Sequence, residues 1–153
     1  MQSERRLLES RINRFVGLVS TLSDDELRAE LAKHLCVLSS GLLEISCKDI
    51  LNRYASKRCS PEIQRFVASH LADFYNAKIA KIYELLGCFD STLATHWRDD
   101  LSDEEADAVD SIVNNKNQIA HGRSVGLSFS VWKNYYDNAL NAVRTIEKHF
   151  PPY

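Results

Sequence analysis

A chain of 153 residues, 44% hydrophobic and 26% charged, has the length and composition of one globular domain over residues 1–153. Its formal net charge of −2 gives no bulk positive field of the kind that attracts nucleic acid. No apolar run approaches the roughly 18 residues that a membrane span needs, so we expect no contact with a membrane. Five glycines and three prolines leave long stretches without a turn signal, which predicts an all-α chain.

Two helices are predicted at the start of the chain. Apolar residues recur at helical spacing through residues 3–20, which indicates the first helix. Residues 23–26, Ser-Asp-Asp-Glu, are typical of a capping box, and they predict a long second helix over residues 24–56. After Leu42 this helix carries two apolar stripes, and a helix that is apolar on more than one side usually lies at the centre of a bundle. Gly41 marks either a close contact between helices or a tolerated glycine.

The third predicted helix begins at Pro61, because proline is tolerated at the first helical position. Its inner face is predicted to hold four apolar residues, Ile63, Phe66, Val67 and Leu71. A break near Asn76 separates it from a continuation that is predicted to stop at Gly87. The pattern therefore favours two helical pieces joined at the asparagine.

Three more helices are predicted in the second half of the chain. A short helix is expected at residues 90–97. Residues 102–105, Ser-Asp-Glu-Glu, form a second capping box, which opens a helix that Gly122 is expected to end. The last helix is predicted over residues 130–150, because two prolines follow it.

Charge is distributed unevenly in this half of the chain. Residues 99–110 contain seven acids and no base, whereas residues 111–136 contain Lys116, Arg123 and Lys133 and no acid. One explanation is an acidic, solvated helix face followed by a neutral one. The other is that negative charge is excluded where an anion must bind.

The segment NNKNQIAHG, residues 114–122, combines a lysine and a histidine at the end of a predicted helix. On a helical wheel Lys116 falls at the centre of an apolar arc. Either its stem packs while the ammonium reaches water, or the cation is held facing a groove or a partner chain. His121 either satisfies the last carbonyls of the helix or exchanges protons near neutral pH. About 140° of rotation separates the two side chains, so they converge only if the last turn deviates or two subunits meet.

The run from Lys116 to Gly122 resembles the terminal motif of the HEPN superfamily, often written Arg-Asn-x-Ile-Ala-His-Gly, with lysine in place of the arginine. The order of elements is similar too. LCVLSSGLLEISCKDILNRYA resembles the family's long central helix, where an acid such as Glu44 follows small residues. NAKIAKIYELLGCFD resembles the piece before the motif helix in the RiboL-PSP branch, which is associated with RNA ligase and phosphatase neighbours.

This resemblance implies an all-α, HEPN-like helical bundle with a long central helix, assembled as a two-fold homodimer. It also implies a metal-independent endoribonuclease without a cofactor, in which the RNA's own 2′-hydroxyl attacks the adjacent phosphate. Such an enzyme would act as a toxin or an antiviral defence effector. Lys116 and His121 would be the catalytic pair, supported by Asn117 and Glu44. Three basic residues are candidate RNA contacts, Arg123, Arg53 and Lys133.

The lysine keeps an alternative function open. Arginine offers a planar fork that grips phosphate in two places, whereas lysine is a point charge. The alternative is a non-catalytic HEPN module that binds RNA, a nucleotide or a partner protein such as an antitoxin; a purely structural helical dimer is the third hypothesis.

Remaining residues give weaker signals. The four cysteines have spacings that fit neither CxxC nor a zinc signature, so we interpret them as reduced, mostly packed thiols of a cytoplasmic protein. The charged N-terminus lacks the apolar region of a signal peptide. Trp97 and Trp132 each stand beside a base and could stack nucleobases, although packing in a core or an interface is favoured.

Overall fold

The computed structural model describes residues 2–153, and that range holds seven helices and no strand. In chain order they are α1 (Glu4–Ser20), α2 (Asp25–Ser56), α3 (Pro61–Ala72), α4 (Ile79–Phe89), α5 (Ser91–Asp100), α6 (Asp103–Ala120) and α7 (Phe129–His149). The predicted all-α fold is confirmed. Within residues 2–153, none of these helices is both long and apolar enough to cross a membrane.

The long helix α2 lies at the centre of the bundle, as its double apolar stripe predicts. It packs against α1, α3, α6 and α7. Adjacent residues Leu42 and Leu43 are both buried, and the buried positions continue from Ala32 to Ala55. Adjacent residues on a helix point about 100° apart, so burial of both requires neighbours on two sides. At Gly41 a Cβ would meet Leu8 at an ordinary 3.9 Å, so this glycine is tolerated rather than required.

The cap of α2 differs from the prediction by one residue. The capping box placed Ser23 at the N-cap, but the carboxylate of Asp24 accepts the hydrogen bond from the backbone N–H of Leu27, at 3.0 Å. Asp24 has the extended backbone of an N-cap, and Asp25 is the first helical residue. Aspartate and serine cap helices about equally well, and the sequence places both at adjacent positions.

Helix α3 corrects the predicted inner face. Only Leu71 is buried and Val67 is half-buried, whereas Ile63 and Phe66 are 51% and 70% exposed. The physical reason is that α3 packs mainly on α2 alone, so a single neighbour covers only one narrow stripe of it. The predicted break is confirmed, because α3 ends at Ala72 and α4 does not start until Ile79.

Helix α4 continues past the glycine that was predicted to stop it. Gly87 is helical, and the helix ends at Phe89. Asp90 is the residue that leaves the helical conformation, because its carboxylate caps α5 by accepting the N–H of Leu93 at 2.9 Å. Helix α5 then runs to Asp100, three residues beyond the predicted end at Trp97.

Helices α6 and α7 pack against each other and against α2. The predicted capping box is confirmed at the start of α6: the Ser102 hydroxyl accepts the N–H of Glu105 at 3.0 Å, and the Glu105 carboxylate accepts the N–H of Ser102 at 2.9 Å. Trp132 of α7 is fully buried and donates its indole N–H to the Ser39 hydroxyl, at 3.0 Å. Trp97 is also fully buried. Packing is therefore confirmed for both tryptophans, and base stacking is excluded.

All four cysteines are free thiols. Burial raises the pKa of Cys36 and of Cys47 to about 12. The Cys36 thiol contacts the backbone carbonyl of Ile112 at 3.4 Å, which ties α2 to α6. Cys88 is exposed. The two buried thiols act as small packing groups, as the sequence predicts.

Candidate functional site

The candidate site is built on the last two turns of α6. One turn earlier, Ile112 and Val113 are fully buried and fix the face of α6 that meets the rest of the bundle. Lys116 lies about one turn further along the same side and is half-buried. Its position follows from the helical period, since residues three and four apart share a face.

The Lys116 ammonium is held by two amide oxygens. Its Nζ donates to Oδ1 of Asn76 at 3.1 Å and lies 3.4 Å from Oδ1 of Asn117. The stem therefore does not simply carry the charge out to water. Asn76 belongs to the loop between α3 and α4, so the cation is held across a contact between two parts of the same chain.

Asn76 is itself tightly placed. Its φ of 53° lies in the left-handed region, which asparagine tolerates better than most residues with a side chain. Its backbone N–H donates to Oε1 of Glu44 at 2.9 Å, and its carbonyl accepts the N–H of Lys78 at 2.8 Å. The structure thus brings together Glu44, Asn76, Lys116 and Asn117 from α2, a loop and α6.

A second contact fixes the same loop to α6. The Asp110 carboxylate accepts the backbone N–H of Ile79 at 2.9 Å, at the first residue of α4. This N–H is one of those that a helix start leaves without an intrahelical partner, so the carboxylate acts as a cap supplied from another helix. The loop over residues 73–78 is consequently anchored at Asn76 and again at the start of α4.

His121 is the C-cap residue of α6, and its side chain is exposed. The terminal carbonyls of the helix are satisfied by backbone groups: Gly122, at φ 71°, donates to Ile119 at 3.0 Å, and Arg123 donates to Gln118 at 2.9 Å. This pair of bonds is a Schellman motif. Within residues 2–153 the His121 imidazole has no hydrogen-bond partner, so it does not satisfy these carbonyls.

The candidate RNA-binding residues are spread over the surface. Arg123 follows the motif directly and donates to the Gln118 side chain at 3.2 Å. Lys133 forms an ion pair with Asp137 on α7, at 2.6 Å. Neither residue contacts the Lys116 network among the contacts described.

Arg53 lies apart from the other candidates. It is nine residues beyond Glu44 on α2, which is about 13 Å along the helix axis. Its guanidinium pairs with both Asp49 and Glu147 at 3.1 Å, and Arg5 pairs with the same two carboxylates. Two carboxylates already balance the two arginines, so this cluster offers RNA little net positive charge.

Asn76 is a site residue that the sequence did not reveal. The break between helices was predicted at this position, but the contact of the Asn76 side chain with Lys116 was not. An asparagine at a helix break is a signal for the left-handed conformation. Nothing local to the loop, however, indicates which residue 40 positions later it contacts.

Within residues 2–153, no group of three or more histidine, cysteine or acidic side chains is arranged to hold a metal ion. The chemistry that this site can support with its own side chains is charge stabilisation by Lys116 and proton transfer by His121.

Comparison with known proteins identifies a family. The model of the family described as RiboL-PSP-HEPN matches residues 2–151. No curated protein and no solved structure matches the chain significantly.

Proposed function

The chain belongs to the RiboL-PSP-HEPN family, and from that premise we propose that it is a metal-independent endoribonuclease with Lys116 and His121 as its catalytic pair. One observation carries the proposal: the motif helix presents a fixed ammonium and, five residues later, an exposed imidazole without a side-chain partner among residues 2–153. An imidazole that no other side chain occupies is free to exchange protons with a substrate.

The proposed reaction needs no group from outside the protein and the RNA. The RNA 2′-oxygen forms a bond to the adjacent phosphorus, and the bond from phosphorus to the 5′-oxygen breaks. The proton of the 2′-hydroxyl is released, and the leaving 5′-oxygen gains one. His121 acts on the transferring proton, and Lys116 stabilises the negative charge that builds on the phosphoryl oxygens. The products are a 2′,3′-cyclic phosphate and a 5′-hydroxyl.

The two catalytic side chains leave α6 in different directions, and this supports a dimeric site. Five residues of helix rotate the direction by about 140°. His121 is the C-cap residue, with φ −88° and ψ 10°, so the last turn does not swing it back onto the Lys116 side of the helix. We assign the functional unit to a two-fold homodimer in which the lysine of one subunit and the histidine of its partner face one phosphate.

The experiment is a cleavage assay in a chelator. Purified protein is incubated with single-stranded RNA oligonucleotides in EDTA, and the products are identified by mass spectrometry. The expected result is cyclic phosphate ends, with His121→Ala slower by about 10²–10⁴-fold. His70→Ala is the matched control, since His70 is an exposed histidine on α3 outside the motif. RNA left intact by the wild type, with His121→Ala indistinguishable in every assay, would remove the proposal.

Lys116→Ala is expected to lower kcat by about 10²–10³-fold, the usual effect of losing a group that stabilises transition-state charge. Lys116→Arg tests the departure from the family motif. If the lysine does the work of the motif arginine, the fork should preserve or raise activity. The same assay at graded protein concentration checks the dimer, because activity per subunit should fall as the dimer dissociates.

A second function is favoured by one specific observation. Two of the three ammonium donors of Lys116 already face amide oxygens, which leaves one for a phosphate. A single donor suits binding better than a reaction that spreads charge over several oxygens. The alternative is therefore a non-catalytic module for RNA, a nucleotide or a partner protein such as an antitoxin. In that case neither wild type nor Lys116→Arg cuts RNA, while RNA still binds with an affinity that falls as salt rises.

A further inference from the structure

We infer that Asn76 is a positioning residue for Lys116: its side-chain oxygen aims the ammonium at the phosphate without cancelling its charge. The inference rests on the proposed function, in which Lys116 is the phosphate-binding cation. It assigns a function to a loop residue outside the motif, 40 positions earlier in the chain.

A lysine needs such help more than an arginine does. The ammonium sits on a flexible four-carbon stem and has no planar fork to orient it. Fixing the side chain in one rotamer costs conformational entropy. If that ordering happened only when RNA bound, it would weaken binding. A hydrogen bond of 3.1 Å to Oδ1 of Asn76 orders the ammonium beforehand.

The chemical type of the partner matters. Asn76 presents a neutral amide oxygen, and so does Asn117 at 3.4 Å. A neutral acceptor fixes the direction of the ammonium but leaves its full charge for an anion. A carboxylate in the same place would form an ion pair and compete with the phosphate. The third N–H of the ammonium remains available to a phosphoryl oxygen.

The side-chain oxygen of Asn76 has a fixed position only because the loop that carries it is anchored. Asn76 adopts φ 53°, a conformation that costs energy in a residue with a side chain. Glu44 accepts its backbone N–H at 2.9 Å, and Asp110 accepts the N–H of Ile79 at 2.9 Å. Glu44 therefore acts through Asn76, because its carboxylate holds the loop by the backbone N–H of Asn76.

Two substitutions separate positioning from folding. Asn76→Gly removes the amide oxygen, but glycine adopts φ 53° without strain, so the folded state should be preserved. Asn76→Asp keeps an oxygen in place and adds a negative charge. In the first variant Lys116 loses the side-chain acceptor that orients its ammonium. In the second variant Lys116 keeps an acceptor, but an ion pair neutralises its charge.

The primary measurement does not depend on catalysis. Side-chain ¹³Cε relaxation of labelled lysines reports how ordered each ammonium stem is, with the Lys116 signal assigned by its loss in Lys116→Arg. The expected order parameter of Lys116 falls in Asn76→Gly and is retained in Asn76→Asp. Lys133, paired with Asp137 on α7, should be unchanged in both variants and serves as the internal control. Thermal melting checks that each variant is folded.

Kinetics provide the second measurement. Asn76→Gly should lower kcat by about 10- to 100-fold with a smaller effect on KM, as expected for a misplaced charge. Asn76→Asp should be as slow or slower although its lysine is ordered. An unchanged Lys116 order parameter in folded Asn76→Gly would overturn the inference, as would wild-type cleavage by that variant. If wild-type protein cuts no RNA while the order parameter still falls, the proposed function fails and the positioning of Lys116 by Asn76 stands.

Discussion

Substitution of Ser39 by alanine should destabilise the fold through the loss of a single buried acceptor. The hydroxyl of Ser39 donates to the Leu35 carbonyl at 2.7 Å and accepts the indole N–H of Trp132 at 3.0 Å. Both residues are buried, and Trp132 has no exposed surface at all. Alanine keeps the β-carbon, so the cavity is small, but the indole N–H loses its partner. The ladder of α2 is unaffected, because the hydroxyl bond to Leu35 is additional to it.

The expected cost follows from the orphaned donor. A buried donor without a partner costs about 1–3 kcal/mol. For a chain of this length each kcal/mol lowers the melting temperature by about 2–4 °C. A loss near 2 kcal/mol therefore corresponds to a fall of about 4–8 °C for Ser39→Ala. Urea denaturation followed by tryptophan fluorescence or circular dichroism measures the free energy of unfolding directly.

The neighbouring serine provides a matched control. Ser40 is equally buried on the same helix, yet its hydroxyl has no hydrogen-bond partner among residues 2–153. Removing an unsatisfied buried hydroxyl costs nothing in lost bonds, so Ser40→Ala should be neutral or stabilising. The two variants change the same atoms at adjacent positions, and only the partner differs.

A double-mutant cycle isolates the bond. Trp132→Phe removes the indole N–H, so Ser39→Ala in that background should cost well under 1 kcal/mol, which gives a coupling energy of about 1–2 kcal/mol. A coupling energy near zero would refute the reasoning. Equal destabilisation by Ser39→Ala and Ser40→Ala would refute it as well, because burial alone would then explain both effects.

Three further predictions concern the helix ends and the thiols. Gly122→Ala should lower the free energy of unfolding measured by urea denaturation by about 1–2 kcal/mol, since φ 71° is strained for alanine. Gly126→Ala is the control, because Gly126 has no positive φ. Ser102→Ala should lower the free energy of unfolding by about 1 kcal/mol, because it breaks the capping box. Ser60→Ala should lower it less, because the Ser60 side chain makes no cap bond, and equal losses would contradict this reasoning. Cys88 should react rapidly with iodoacetamide, while the thiols of α2 react only on unfolding; peptide mapping that finds them modified in the folded protein would count against the described burial.

The sequence by itself determined the helices and the chemistry of the motif. Helical periodicity and capping depend on residues three or four positions apart, so the N-cap of α6 at Ser102 and the end of α6 before Gly122 could be predicted locally. The same period places Lys116 on the apolar side of α6. The motif identified the superfamily without any structural information.

Predictions of helix ends and of one helix face were wrong where the local sequence is compatible with two structures. Ser23 and Asp24 are equally good caps, and the choice between them depends on the backbone conformation of each. Gly87 can end a helix or sit within one, and the capping of α5 by Asp90 decided the point. Ile63 and Phe66 have the spacing of buried residues, yet no second helix covers that side of α3.

Only the tertiary structure decided what surrounds Lys116. Asn76 and Glu44 lie 40 and 72 positions earlier in the chain, and no periodic pattern links such distant residues. Asn76 meets the ammonium, and Glu44 holds the backbone of Asn76, because α2 and α6 pack side by side and the loop before α4 is anchored on both helices. The packing of whole helices sets that geometry, which is why the sequence predicted a cation in the site but not the oxygen that holds it.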